Sequence, residues 1–325
     1  MRIGVRRFPC WHQLAPGTAI LLLVLLLVGC ATQTRSLLTS ATDTLPRRVE
    51  LTSVPFFPQE RYQCGPAALA MSLTAAGIPI APDALVPQVY VPAREGSLQP
   101  EMLASGRRNG ALSMTIAPRL DALLAEIAAG TPVIVLQNLS LPLAPLWHYA
   151  VAVGYDLDRA EIVLRSGTTE REVMALSTFE HTWARGGYWA MITVPVDRLP
   201  ATVDQAAATK ALVAFEKSAK PDRARAAYHT ALQRWPDGLS LLLGYGNAAY
   251  AQGDREAAVV AFRRATTLDP NSAPAFNNLA TVLAELGQTE PAIQAAERAV
   301  AIGGPWHGEA MATLESIRAK KRDAR

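Results

Sequence analysis

The chain has 325 residues, of which 50% are hydrophobic and 18% charged, with a formal net charge of +3. That composition belongs to packed globular structure and excludes a disordered chain. The small positive balance, with no basic stripe interleaved with aromatics, gives no reason to expect nucleic acid. No His/Cys cluster or glycine-rich phosphate loop is present, so neither a metal nor a cofactor is expected.

The first 29 residues place Arg2, Arg6 and Arg7 ahead of an uncharged apolar run over 17–29. A basic start followed by a short greasy core is a secretory signal pattern. The run falls short of the ~20 residues that span a bilayer. It closes on Leu27-Val28-Gly29-Cys30, which resembles the lipobox of bacterial lipoproteins. The resemblance implies that residues 1–29 are removed and that Cys30 receives a lipid and becomes the mature N-terminus. Ala31 stands where an Asp would retain the protein in the inner membrane, so the expected place is the outer membrane, facing the periplasm. An uncleaved signal anchor is the alternative, and either arrangement puts the rest of the chain outside the cytoplasm. Cys10 then leaves with the signal and Cys30 is acylated, so Cys64 remains as a lone thiol in an oxidising compartment. Such a thiol needs burial or a task.

Residues 30–49, polar and rich in Thr and Ser, read as a lipidated start and tether. Over 50–197 short apolar runs alternate with helical patterns. "CGPAALAMSLTAAG" is small and apolar on all sides, which predicts a buried helix ending near Gly77, with Pro66 in its first turn. "QPEMLASGRRNG" reads as a helix, "LSMTIA" as a strand, and "LDALLAEIAAG" as a helix stopped by Gly130. Strands follow around "PVIVLQ", "HYAVAVG", "EIVLRS" and "YWAMITV", with a short helix in "STFEHTWARGG". A boundary is expected near "VPVDRLPATVD".

From 203 to 325 the chain turns alanine-rich and helical. "LSLLLGYGNAAYAQGDREAAVVAFRRATTLDP" aligns with a segment beginning 34 residues later, matching Gly246 to Ala280, Gly253 to Gly287 and Ala258 to Ala292. A degraded third copy, with Ala224, Tyr228, Ala231 and Pro236, lies 34 residues earlier. The period and the small residues resemble tetratricopeptide repeats. The resemblance implies a concave surface for a protein partner; an ordinary alanine-rich bundle is the alternative.

Cys64 falls at a helix N-terminus, where the dipole favours thiolate over thiol. Peptide cleavage also needs a base and oxyanion donors. Among the five histidines, His12 lies in the leader, His229 and His307 in the repeats and His181 on the short helix. His148 opens a core strand, a rigid place for a base. "PQERYQCGPAALAM" and "HYAVAVGYD" together resemble the papain-like cysteine peptidases related to bacteriocin-processing, double-glycine leader peptidases, over roughly residues 53–195.

That resemblance implies an α+β papain-like cysteine peptidase domain followed by an all-α tetratricopeptide-repeat domain. Within it Cys64 matches the nucleophile and His148 the base. Gln59 matches the oxyanion glutamine, at five residues before the cysteine where six is usual. Gln63 is the other glutamine, but it adjoins Cys64 and would point poorly into the same hole. The Asp or Asn that orients the histidine has no clear counterpart. If 148–153 and 161–165 form a hairpin around Leu157, Ser166 comes opposite His148, and Asn138 is a second candidate. Asp156 and Asp158, at the turn, are then more than about 20 Å away.

The expected activity is peptide-bond hydrolysis through a thioester acyl-enzyme on a peptide or protein substrate, with the repeats recruiting substrate or partner and the lipid holding the chain to the membrane. The alternative is a catalytically weak or inactive scaffold acting through its repeats. A thiol enzyme acting on cell-wall cross-links, or a transacylase, is a third reading.

Overall fold

The computed structural model describes residues 31–39, 45–59 and 63–323. The leader and Cys30 lie outside the described residues. Nine strands and thirteen α-helices are described, together with two short 3-10 turns.

The first domain is built on an antiparallel sheet. Its strands are β1 (Arg48–Glu50), β4 (Leu112–Thr115), β5 (Val133–Asn138), β6 (Trp147–Asp156), β7 (Glu161–Ser166), β8 (Thr169–Ala175) and β9 (Ala190–Val194). They run in the order β4-β9-β5-β6-β7-β8, and β1 pairs with the far end of β6, beyond the reach of β5. Two further strands, β2 (Tyr90–Val91) and β3 (Gly96–Ser97), form a small separate hairpin. β5 is buried at all six positions because both faces of the sheet are covered. Such a strand reads as a continuous apolar run rather than an alternating one.

Ile134 and Leu136 of β5 face one core cluster, Val133 and Val135 the other. The first cluster holds helix α2 (Cys64–Ala75), whose residues from Gly65 to Leu73 are all buried. Helices α3 (Pro82–Val89) and α4 (Gln99–Arg108) flank it. The opposite face is covered by α5 (Leu120–Ala128) and α6 (Leu176–Arg185).

One expectation is corrected at the start of the chain. The supposed tether contains α1 (Thr32–Thr39), which is docked against α5 and α6. Buried Glu180 accepts the N–H groups of Gln33 and Thr34 at 3.0 and 2.7 Å, and Gln33 Oε1 accepts the N–H of Leu120. A buried carboxylate facing a helix N-terminus satisfies orphan donors and complements the dipole. Leu37 enters the core, and β1 adds a strand within the same stretch.

The C-terminal helices are α7 (Gln205–Glu216), α8 (Pro221–Arg234), α9 (Leu239–Ala251), α10 (Arg255–Leu268), α11 (Ala273–Glu285), α12 (Thr289–Ile302) and α13 (His307–Asp323). The first helices of successive pairs begin at 205, 239 and 273 and the second at 221, 255 and 289, a spacing of 34 in each case. Gly253 and Gly287, matched by the repeat, both take positive φ, 82° and 72°, just past the ends of α9 and α11. Only glycine adopts that conformation without strain.

The helices are not hung from the sheet domain by slack chain. Leu212 and Phe215 of α7, Tyr228 of α8 and Leu241 of α9 belong to the same buried cluster as Leu112 and Trp183. The connection between the two is clamped by buried Glu126, which accepts the N–H groups of Ala201 and Thr202 and the Thr202 hydroxyl.

Candidate active site

At the end of the sheet where β6 begins lies an open cleft of about 860 Å³. Cys64, His148 and Gln59 all line it, together with Leu98, Leu146, Trp147 and Tyr149.

Cys64 is the first residue of α2, with Gln63 as the flanking cap residue. Gly65 is required there. A Cβ on it would fall 2.2 Å from the Ser97 hydroxyl oxygen, so β3 passes directly over the helix start. The sulfur is partly buried. Burial pushes the Cys64 thiol up from its ordinary 9.0, while the N–H groups of Tyr149, Gly65 and Cys64 itself pull the other way. Burial thus outweighs the donors at the helix start, and the thiol is held above its ordinary value rather than below it.

His148 is the second residue of β6, and the next N–H along, that of Tyr149, serves the Cys64 sulfur. Burial lowers the imidazole from its ordinary 6.5, and the charge of Glu172 acts in the opposite sense. Both shifts favour a neutral thiol and a neutral imidazole in the one cleft rather than a resting ion pair.

The hairpin β6–β7 turns around 157–160. Val151 pairs with Arg165, so Ser166 falls one pleat from His148 on the same face. His148 Nε2 and Ser166 Oγ are 3.0 Å apart. Asn138, the other candidate, is turned away. Its Oδ1 accepts the N–H groups of Ser140 and Leu146, and closing that loop uses the side chain up. Asp156 Oδ1 caps the hairpin turn through the N–H groups of Asp158 and Arg159.

Gln59 is anchored at both its backbone and its side chain. Its N–H donates to the Gly167 carbonyl, and its Oε1 accepts the Gly167 N–H. That leaves Nε2 buried with no partner among the described residues, on a residue only 8% exposed. A buried donor left unpaired costs about 1–3 kcal/mol. Gln63 does not line the cleft, and its side chain makes no cap.

Three contributors were not expected from sequence. Tyr149 supplies an N–H to the sulfur, and its hydroxyl donates to the Ser97 carbonyl, fixing the wall formed by β3. Glu172, on the polar edge strand β8, is the carboxylate whose charge reaches His148. Gly186, after α6, sits where a Cβ would come 2.1 Å from the Leu136 carbonyl oxygen, so helix and strand close tightly at the cleft. Tyr149 adjoins His148 in sequence, which is the one available signal; β8 and Gly186 carry none. Among the described residues no group of three His, Cys, Asp or Glu side chains is gathered to hold a metal.

Residues 51–191 match the Peptidase_C39 like family, and residues 210–273 and 246–305 match the tetratricopeptide repeat. The chain is a peptidase C39-like domain followed by tetratricopeptide repeats. No curated protein matches it. Solved structures resemble one part or the other. A protein from Bacillus anthracis described as a C39-like peptidase is 19% identical with a TM-score of 0.39, covering 46% of this chain and 98% of its own. The type III secretion translocator chaperone SycD of Yersinia enterocolitica is 16% identical with a TM-score of 0.35, covering 37% of this chain and 89% of its own. The tetratricopeptide domain of Sgt2 from Aspergillus fumigatus is 25% identical with a TM-score of 0.32, covering 36% and 76%. The C39-like domain thus carries Cys64, His148 and Gln59, and the repeats follow it.

Proposed function

We propose that the C39-like domain is a cysteine peptidase, held at the outer membrane by a lipid on Cys30, and that the repeats recruit a protein substrate or partner. The observation that carries this reading is the Nε2 of buried Gln59, unpartnered among the described residues, in the cleft that Cys64 and His148 also line. A donor held unpaired is preorganised for an oxyanion that exists only during reaction.

The neutral pair sets the order of events. His148 takes the proton of the Cys64 thiol as the sulfur attacks the substrate carbonyl carbon, forming the C–S bond. The oxygen, now negative, is received by Gln59 Nε2 and the Cys64 N–H. The imidazolium returns its proton to the leaving amine as the C–N bond breaks, leaving a thioester. Water, deprotonated by His148, then releases the acid and restores the thiol. Ser166 holds the imidazole through Nε2, and Glu172 offsets part of the charge that develops.

The test is labelling of the full chain at pH 7.5 with a peptidyl electrophile that captures only activated thiols. Cys64 should be modified. Cys64→Ala should abolish the label, and His148→Ala should slow it by about 10²-fold or more, as expected for loss of a general base. A rate equal to that of free cysteine, unchanged by His148→Ala, would leave the scaffold reading, which the serine in place of a carboxylate favours.

A further inference from the structure

The eight residues from 139 to 146, "LSLPLAPL", join β5 to β6, and neither they nor Trp147 at the start of β6 carry a charge. Leu139, Leu141, Leu143, Leu146 and Trp147 are all exposed, Leu143 at 99%. Single exposed leucines are ordinary, but five large apolar side chains on one stretch form a patch that needs an occupant.

The loop holds them outward by construction. Asn138 Oδ1 ties the N–H groups of Ser140 and Leu146, Leu139 N–H donates to the Leu146 carbonyl, and Ala144 N–H donates to that of Leu141. Pro142 and Pro145 have no N–H to satisfy. The backbone donors at 139, 140, 144 and 146 are therefore paired within the loop and those at 142 and 145 are missing, which lowers the cost of meeting a poorly hydrated surface.

The chain's own start indicates the direction. Glu180 receives the first turn of α1, and Arg185, five residues further along α6, donates from Nε to the Asn138 carbonyl at the base of the loop. Five helical residues rise about 7.5 Å. Ala31, where the described chain begins, and the loop thus lie at the same end of the domain, with no slack between residue 31 and docked α1.

We propose that the stretch 139–147 seats in the bilayer surface, with Leu141 and Leu143 among the acyl chains and Trp147 at headgroup level. Leu146 and Trp147 also line the cleft, so its mouth opens at the lipid surface and its substrate is a polypeptide presented there. Which side faces the bilayer rests on the lipid-anchor reading of Cys30; the internal pairing of the loop does not.

The experiment places a benzophenone amino acid at Leu143, or at Val260 as a control 69% exposed on the repeats. The full chain, taken through the bacterial secretion route, is reconstituted in phosphatidylethanolamine–phosphatidylglycerol vesicles, irradiated and weighed intact. Phospholipid adducts should form at 143 at least about ten-fold above position 260, since only an inserted side chain meets acyl chains. The same mass reports whether Cys30 is acylated. Acylation with no lipid adduct at 143, or an adduct to protein instead, overturns the proposal and leaves the anchor standing. An adduct at 143 without acylation supports the loop and removes the anchor; neither adduct nor acylation overturns both.

Discussion

Ser166→Asp places a carboxylate where a hydroxyl now lies 3.0 Å from His148 Nε2. Opposite unit charges about 3 Å apart attract by about 5 kcal/mol at an effective dielectric of about 20. Dehydrating the carboxylate takes back part of this, and neighbours of this kind move a pKa by about 1–3 units, or about 1.4–4 kcal/mol. His148 starts below 6.5 because burial penalises the imidazolium. In the variant its pKa should rise by about one unit or more. The Cys64 thiol should fall in step, because a cation in the same cleft favours thiolate. Proton NMR titration of the imidazole, assigned with His148→Gln, reads the first effect; the pH dependence of electrophile labelling reads the second. A His148 pKa within about 0.3 units of the parent, about 0.4 kcal/mol, in a variant that folds normally would mean that residue 166 does not meet the imidazole in solution, and the construction of the site would be wrong.

The remaining expectations concern protons, the oxyanion and the docked helix. Hydrolysis should follow a broad bell, with its acidic limb below 6.5 and its alkaline limb above 9.0, because His148 is lowered and Cys64 raised; a limb at or above 6.5 on the acid side would contradict the buried imidazole. Stability carries the same sign for His148: as pH falls through 6.5 the unfolded chain takes up the proton first, so stability is lost between 6.5 and the lower folded value and is flat above, as denaturant midpoints across that window will register. Glu172→Gln removes the charge that favours imidazolium, so the acidic limb should move to still lower pH. Gln59→Ala should cut kcat by about 10²–10³-fold with KM little changed, the signature of a donor used only in the transition state; an equal loss in KM would make it a binding residue. Glu180→Ala strands two helix N–H groups at about 1–3 kcal/mol, and hydrogen exchange at Gln33 and Thr34 should accelerate while β5 stays protected.

The parts of the fold legible in the sequence were those whose cause is local. The run from Gly65 to Leu73 announces a helix buried all round, and the alternation after His148 announces a hairpin, although its turn spans 157–160 and so sets Ser166 diagonally across from His148 rather than directly opposite. The spacing of 34 likewise places both helices of each repeat. What escaped depends on partners far along the chain. "TQTRSLLT" looks like a polar tether until Glu180, 147 positions beyond Gln33, receives its first turn. "TEREVMA" has the polarity of a loop and becomes β8 only because β7 offers an open edge, and with it Glu172 goes unnoticed. The thiol is a like case: its helix start is visible in sequence, but the burial that pushes it up depends on chain packed around it from elsewhere.

Tyr228 and Leu241 sit in one buried cluster with Trp183, and Glu126 grips the crossing at Thr202. The array and the cleft therefore keep a constant bearing and separation. A polypeptide engaged by both must bridge that span, so the scissile bond would be picked by counting residues from the gripped stretch, as a gauge picks a length, and inserting or deleting residues between the two would move the cut.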